Sequence, residues 1–322
     1  MATRLTTILN IDVPVMLAGM GGVSYSELAA AVSNAGAYGC LGASTMSSDE
    51  LAHEIARTRE LTDRPFGVDL LTAFPDSLDR NIDLIIEGGA TALVAGLGIP
   101  TRVIDTCHRH GIMVMSMCGK VEHARRAVDA GCDVVIAQGT EAGGHTGTVA
   151  TFPLIPLVVD AVGGSVPVVA AGGIADGRGL AAALALGADG VWVGTRFIAT
   201  PEARALPGFR ETILNIREDQ TVISKAFSGK PMRVARNEVT DYFDAHRADI
   251  QPFPAQLIES FNVGRFHLGG GPDAQGVDPA REGYPMGQIA GAISAIVPAS
   301  QIVASMVNEA RDILARLATG VL

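Results

Sequence analysis

The amino-acid sequence predicts an α/β fold, a (β/α)8 barrel with a helical cap inserted after the barrel and continued at the C-terminus. Eight short apolar runs alternate with stretches of helical periodicity between residues 13 and 195. The runs are nearly continuous in apolar residues and rich in β-branched types, which is typical of parallel strands buried on both faces. A weak repeat, in which a helix ends at glycine and a strand follows, recurs in GGATALVA, AGCDVVIA and LGADGVWV.

The eight predicted strands have the spacing that crossover helices require in a parallel barrel. The strands cover residues 13–19, 37–43, 65–71, 90–96, 112–118, 132–138, 166–173 and 189–195. Several of the helical stretches between them begin with Ser or Asp and end at Gly, which are the preferred helix-capping residues. These stretches include residues 24–36, 47–61, 120–131 and 176–188. The rival is an open Rossmann sheet, but AGMGGVSYSEL after the first run lacks the G-x-G-x-x-G turn of that fold.

The alternation stops after the eighth run, and the sequence divides into three predicted parts. Residues 1–200 form the barrel. Residues 201–285 form a cap and substrate region that contains helical pieces and the glycine-rich LGGG at 268–271. Residues 286–322 form one or two amphipathic helices that are split near Pro298 and pack back on the barrel.

Composition and charge exclude several classes of partner. A net charge of −10 and an isoelectric point near 5.1 argue against nucleic acid and against an anionic membrane surface. The four cysteines show neither a CxxC pair nor zinc spacing, so no metal site is expected and the thiols are predicted to be reduced in a cytoplasmic protein. The N-terminus matches neither a signal peptide nor a membrane span, and no other apolar run approaches the length of a span.

Two glycine-containing turns mark a candidate phosphate site. In a (β/α)8 barrel the loops after the seventh and eighth strands commonly bind phosphate groups. The seventh strand ends in AAGGIADGRG, where Gly172 and Gly173 follow Ala171, and the eighth ends in VGTRF, which contains Gly194 and Thr195. Glycines let backbone N–H groups approach an anion closely, and the helix that starts near Asp176 is expected to direct its positive end at the same place.

His145 is the candidate catalytic residue. It lies in GTEAGGHTG, a segment with four glycines in nine positions that follows the sixth strand on the same face of the barrel. The flanking Gly143 and Gly144 let this loop lie close to a flat ligand and carry the imidazole over it. The pKa range of histidine suits a general base. In the same region, Glu141 is expected to brace the loop, and Asp176 is expected to be an N-cap rather than a catalytic group.

These motifs resemble the nitronate monooxygenase family, formerly called the 2-nitropropane dioxygenases. The resemblance rests on QGTEAGGHTG, on PVVAAGGIADGRGLAAALALGADGVWVGTRF and on PVMLAGMGG, and it extends weakly into YPMGQIAG. It implies a TIM barrel that binds FMN. Flavin-dependent enoyl-acyl-carrier-protein reductases, some NADH:quinone reductases and some acyl-CoA-processing enzymes share the same motifs, so the resemblance is specific for the superfamily and not for the reaction.

Carried over position by position, the resemblance assigns most of the candidate site. It implies that the FMN phosphate lies on Gly172, Gly173, Gly194 and Thr195, that Ala18, Gly19 and Met20 run beside the isoalloxazine, and that Met286, Gly287 and Gln288 approach the ring. Gln138 would reach the flavin or its ribityl chain. His145 would be the base or the residue that orients the substrate. The full set of predicted cofactor-binding residues adds Asp69, Gly143, Gly144 and Ala171.

Two positions depart from the pattern of the family. Many relatives read FGVN at the third strand, whereas this chain reads FGVD and so has Asp69 in place of an amide. An ionised carboxylate can only accept hydrogen bonds. Asp69 is therefore protonated, or meets the flavin N3–H, or faces substrate, or else binds a helix terminus or a backbone N–H. Some relatives have a lysine at the end of the fifth strand, where this chain has Met117.

The leading hypothesis is a nitronate monooxygenase, in which O2 is the oxidant, a carbonyl compound and nitrite are the products, and no nicotinamide is needed. The alternative is an NAD(P)H-dependent flavin reductase that acts on a quinone, an enoyl thioester or another acyl-CoA, since the glycines at 269–271 leave the cap open to a longer substrate. A third class is a non-enzymatic flavin-binding protein, which a histidine placed among glycines disfavours. The oligomeric state is left open, with a homodimer as one option.

Overall fold

The computed structural model describes residues 1–72, 75–268, 271 and 273–320, with the backbone alone for residues 75–77. Two of the four residues of the predicted LGGG segment, Gly269 and Gly270, therefore lie outside the described residues. The strands, in chain order, are β1 Val15–Leu17, β2 Gly39–Gly42, β3 Phe66–Leu71, β4 Ala92–Gly96, β5 Met113–Cys118, β6 Val134–Gln138, β7 Gly144–His145, β8 Val168–Ala171, β9 Gly190–Val193, β10 Thr221–Ser224 and β11 Met232–Ala235.

Eight of these strands form one parallel sheet that closes into a barrel. The order is β1-β9-β8-β6-β5-β4-β3-β2, and a parallel bridge between Met16 and Tyr38 joins the two ends. The amide of Leu17 donates to the Tyr38 carbonyl at 2.8 Å, and the amide of Tyr38 donates to the Val15 carbonyl at 2.9 Å. Each of the eight predicted apolar runs contains one of these strands, so the predicted TIM barrel is confirmed.

Helices connect the barrel strands and cover the barrel from outside. They are α1 Arg4–Leu9, α2 Ser26–Asn34, α3 Ser48–Leu61, α4 Pro75–Glu87, α5 Ile104–Arg109, α6 Val121–Asp129, α7 Thr151–Val162, α8 Gly177–Ala185, α9 Thr195–Ile198, α10 Pro207–Asn215, α11 Glu238–Ala245, α12 Ala255–Asn262 and α13 Ala299–Gly320, with short 3-10 turns at Ala43–Thr45, Arg247–Asp249 and Gln288–Ala292. Within the described residues, no helix combines the length and the apolar character that a bilayer span requires.

The interior of the barrel is a packed core that is closed at the amino-terminal end of the strands. Leu5 and Leu9 of α1 belong to the same buried cluster as the inward-facing Met16, Tyr38 and Trp192. A barrel interior is filled by layers of side chains, so it provides no channel through the molecule. A ligand must therefore enter from the opposite end, where the carboxyl ends of the strands and their loops lie.

The cap contains a strand pair that the sequence analysis did not predict. Strands β10 and β11 pair antiparallel, and the two-residue β7 of the barrel loop adds to β11 with His145 opposite Met232. Along the chain, α10 precedes β10, and α11 and α12 follow β11. Strand β7 has only two residues and so no detectable periodicity, and its partner β11 lies far along the chain, so this pairing could not be read locally.

The C-terminal segment contains one long helix that packs against a helix of the barrel. A 3-10 turn precedes Pro298, and the single long helix α13 follows it and packs on α8. The amide of Gly177, the first residue of α8, donates to the Glu309 carboxylate of α13 at 2.7 Å. A Cβ atom at Gly177 would lie 2.5 Å from the Ala310 nitrogen, so glycine is required for this close approach.

Candidate active site

One large cavity opens at the carboxyl-terminal ends of the barrel strands. Its volume is about 1530 Å³, and both barrel loops and cap segments line it. Among the predicted site residues, those that line it are Ala18, Gly19, Met20, Asp69, Gln138, Gly143, Gly144, His145, Ala171, Gly172, Gly173, Gly194, Thr195 and Gly287. These predicted residues come from six separate segments of the chain, and the fold brings them together.

The turns after β8 and β9 form a cradle of free amides. In the described part of the chain, the backbone N–H groups of Gly172, Gly173 and Gly194 donate to no protein acceptor. Gly172 has a φ of +100° and Gly173 one of +72°, which is the left-handed region that favours glycine. A Cβ atom at Gly172 would lie 2.9 Å from the Thr151 Oγ1 atom and 3.1 Å from the Gly139 carbonyl oxygen. Such a set of amides suits an anion.

The helix that follows this cradle contributes less than the sequence predicts. Asp176 caps α8 and accepts from the amides of Arg178 at 3.0 Å and Gly179 at 3.2 Å. The amide of Gly177 is taken by Glu309. The first-turn amides are thus bonded to carboxylates and are not free to donate to a phosphate, and the predicted N-cap role of Asp176 is confirmed. That the positive end of this helix points at the phosphate stays a prediction.

The C-terminal segment is attached to the cradle by hydrogen bonds. The Gly287 amide donates to the Thr195 Oγ1 atom at 3.0 Å, and the Gln288 amide donates to the Glu141 carbonyl at 3.0 Å. Gly287 lines the cavity, whereas the Met286 side chain is fully buried in the core of the barrel and its helices. The structure thus gives Gln288 a backbone contact with the loop, and roles for Met286 and Gln288 at a flavin ring stay predictions.

The loop that carries His145 is held at three places. The Glu141 carboxylate accepts from the Thr151 amide and hydroxyl, both at 2.8 Å, as the predicted bracing role requires. The side-chain amide of Gln138 donates to the His145 carbonyl at 2.7 Å. The strand pair between β7 and β11 fixes the third side. The backbone of His145 is therefore fixed by the Gln138 side chain at its carbonyl group and by the pairing of β7 with β11.

The imidazole of His145 is enclosed by cap residues. Its Nε2 atom lies 2.9 Å from the Oγ atom of the fully buried Ser228, and its ring meets that of Phe253 edge to face with 6.3 Å between centroids. The Lys230 ammonium lies 4.5 Å from the Phe253 ring centroid. Burial, and in second place the charge of Lys230, lower the pKa of His145 to about 4. The imidazole is therefore neutral near pH 7.

Ser228, Lys230 and Phe253 were not among the residues predicted from the sequence. Ser228 and Phe253 contact His145, Lys230 acts on it through its charge, and all three come from the cap, more than eighty positions along the chain. A local signal existed: SGKP at 228–231 lies between TVIS and MRVA, two short segments rich in β-branched or apolar residues. Turn residues between such runs are typical of a hairpin.

The sequence profile of the nitronate monooxygenase family matches residues 2–87 and 72–309. The chain belongs to the nitronate monooxygenase family. Members of this family are flavoenzymes, and the protein is an oxidoreductase of the nitronate monooxygenase type.

Three known proteins are similar to this chain. A probable nitronate monooxygenase of Staphylococcus saprophyticus is 35% identical over 302 residues, which cover 80% of this chain and 84% of that protein. The (3aS,4S,5R,7aS)-5-hydroxy-7a-methyl-1-oxo-octahydro-1H-indene-4-carboxyl-CoA dehydrogenase of Mycobacterium tuberculosis is 41% identical over 244 residues, which cover 76% of this chain and 68% of that protein. The solved structure of FabK from Thermotoga maritima has a TM-score of 0.90, with 36% identity and 99% of both chains covered.

Proposed function

We propose that the protein is an FMN-dependent oxidoreductase that oxidises alkyl nitronates with O2 to a carbonyl compound and nitrite. Two nitronates and one O2 balance two carbonyl compounds and two nitrite ions in atoms and charge. The observation that carries the proposal is the neutral, buried His145, held in the wall of the cavity next to the Lys230 cation. The match of the chain to the family supports the same reaction type.

The cavity suits FMN in its donor groups. The free amides of Gly172, Gly173 and Gly194, together with the Thr195 hydroxyl, would hold the phosphate. Each of these groups is a donor, and no carboxylate of a described residue is bonded to this cradle. When bound, FMN supplies the redox chemistry, and the chain supplies binding, orientation and electrostatics. FMN has one phosphate group and no second nucleotide, so a single cradle of this kind is sufficient to bind it.

His145 and Lys230 have different roles at the substrate: one accepts a proton and the other stabilises a negative charge. The Ser228 contact engages the Nε2 atom of His145, which leaves Nδ1 as the nitrogen open to a ligand. In the neutral imidazole this atom can take a proton from the α-carbon of a nitroalkane. The Lys230 ammonium, which also lines the cavity, stabilises the nitronate anion that is formed or that binds directly.

Anaerobic stopped-flow spectroscopy of the FMN-loaded protein tests this function. One arm mixes it with ethylnitronate or propionate 3-nitronate, and the other with NADH or NADPH. Fast bleaching of the flavin band by nitronate, without a response to nicotinamide, is the expected result. Fast bleaching by NADH or NADPH alone would overturn the proposal and place the protein among the reductases.

The size and lining of the cavity favour an acyl-CoA as a second candidate substrate. A volume of about 1530 Å³ exceeds what FMN and a small nitronate need, because typical ligand pockets hold a whole drug-sized molecule in roughly 300–1,000 Å³. Apolar cap residues line one wall, namely Leu257, Ile258, Phe261, Phe266 and Leu268, and the basic Lys120, His123 and Arg126 line another part. The relative from Mycobacterium tuberculosis is named for a carboxyl-CoA substrate.

Two further properties are part of the proposal. The four cysteines are buried free thiols, which supports a reducing, cytoplasmic location.

A homodimer stays a prediction. Size-exclusion chromatography with light scattering measures the mass of the particle in solution and so tests it directly.

A further inference from the structure

Asp69 is a buried carboxyl group that lines the cavity and has no partner within the described part of the chain. It lies near the carboxyl end of β3, opposite Gly42 of β2 and Val94 of β4, and it is 6% exposed. Its carboxyl oxygens make no hydrogen bond or ion pair with any residue that the structure describes. Burial raises the pKa of this carboxyl group. The alternative in which Asp69 binds a helix terminus or a backbone N–H is therefore wrong.

Backbone flanks this carboxyl group on two sides. A Cβ atom at Gly19, in the loop after β1, would overlap the Asp69 side chain, and a Cβ atom at Gly96 would lie 3.7 Å from its Oδ1 atom. Gly19, Gly96 and Asp69 all line the cavity. The two glycines leave the carboxyl group accessible from the cavity, so a flat ligand can come within hydrogen-bond distance of its oxygens.

Among the described residues, no cation offsets the burial of Asp69. The titratable group that faces it is the Cys40 thiol of β2, whose own pKa is raised by burial and, in second place, by Asp69. Burial raises the pKa of Asp69 well above its ordinary value, because the charged form loses its hydration. A protonated carboxyl group offers one O–H donor and one C=O acceptor side by side, whereas an ionised one offers acceptors alone.

We propose that Asp69 is held as a neutral carboxylic acid and pairs, through its O–H and C=O, with an imide edge of the ligand. An imide presents a ring N–H beside a carbonyl, and the flavin ring carries such an edge. This inference rests on the proposed FMN cofactor. It assigns to Asp69 a positioning role that a side-chain amide could also fill, since Asn has the same pair of donor and acceptor in the same shape.

Infrared difference spectroscopy at pH 7 tests the protonation state directly. The spectrum of the wild-type apoprotein minus that of Asp69→Asn is expected to show the C=O stretch of a protonated carboxyl group, and addition of FMN is expected to shift that band. A spectrum with carboxylate bands only would overturn the proposal. A protonated band that FMN leaves unchanged would overturn the contact with the ligand.

Equilibrium titration of apoprotein with FMN, followed by flavin fluorescence, supplies the second readout. Asp69→Asn is expected to keep the Kd within about threefold of wild type, and Asp69→Leu, which has similar volume and no polar atom, is expected to raise it by about tenfold or more. Asp129→Asn, an exposed position that also lines the cavity, is the matched control. A Leu variant that binds as tightly as wild type contradicts the role of Asp69, whereas wild-type protein that binds no FMN contradicts the proposed function itself.

Discussion

The Nε2 atom of His145 and the Oγ atom of Ser228 lie 2.9 Å apart, and this contact fixes the tautomer of the imidazole. The Ser228 hydroxyl donates to the Lys230 carbonyl at 3.1 Å and accepts from the Lys230 amide at 3.3 Å. Since a hydroxyl has one hydrogen and a carbonyl can only accept, the proton between Ser228 and His145 belongs to Nε2. Nδ1 therefore carries the lone pair, and it has no protein partner among the described residues.

Replacing Ser228 with Ala should impair turnover more than cofactor binding. The change leaves the Nε2 proton without its acceptor, so the imidazole loses its fixed tautomer and orientation. We expect kcat with a nitroalkane or nitronate to fall by about tenfold while the FMN content stays that of wild type. Ser165→Ala, which removes an exposed hydroxyl that donates to the Val162 carbonyl at 2.7 Å, is the control. Wild-type kcat in Ser228→Ala would show that the contact does not position His145.

Replacing His145 with Ala should leave a yellow, folded protein that no longer turns over a nitroalkane. The imidazole is the proposed proton acceptor, and loss of a general base typically costs at least about a hundredfold in rate. Its backbone contacts with Gln138 and Met232 do not depend on the side chain, so the loop and the FMN site are expected to persist. Flavin absorbance per protein and steady-state kcat are the two measurements. His53→Ala, at an exposed position of α3, is the control. Loss of FMN would instead make His145 a cofactor clamp.

The barrel could be predicted from the sequence because its signals are local. A strand such as Val134–Gln138 is a continuous apolar run between a helix that ends near Gly131 and a glycine-rich loop, and each barrel strand repeats this plan. The cradle at Gly172 and Gly194 followed from the same logic, since loops after successive strands of a barrel must meet at one end.

The cap side of the site could not be predicted, because its contacts join distant parts of the chain. Ser228 and Phe253 lie next to His145 in a structure where β11 pairs with β7. The two-residue β7 has no periodicity from which this pairing could be predicted. The contact at the start of α8 could not be predicted for a related reason: the carboxylate of Glu309, which binds the Gly177 amide, comes from the far end of the sequence.

The charge of Lys230 should depress the pKa of His145 measurably. NMR titration of the histidine ring protons is expected to place the pKa of His145 near 4, and Lys230→Met is expected to raise it, since the neighbouring cation disfavours the imidazolium. The unfolded chain takes up this proton at about pH 6.5. Wild-type stability should therefore fall as the pH drops from about 6.5 towards 4, a fall that His145→Asn reduces. A wild-type pKa near the ordinary value would contradict the burial of the ring.

A pair of glycine variants separates backbone strain from cofactor binding. Gly172 and Gly163 both have positive φ, +100° and +60°, so an Ala at either position should destabilise the fold by about 1 kcal/mol or more. A Cβ atom at Gly163 meets nothing within 4 Å, whereas one at Gly172 lies among Thr151 and Gly139 in the wall of the cavity. We therefore expect Gly172→Ala to bind FMN at least about tenfold more weakly, because the cradle amides must shift. Gly163→Ala should bind FMN as wild type does. Thermal melts of both apoproteins and FMN titrations of both variants make the comparison, and equal FMN affinity in the two would place the phosphate elsewhere.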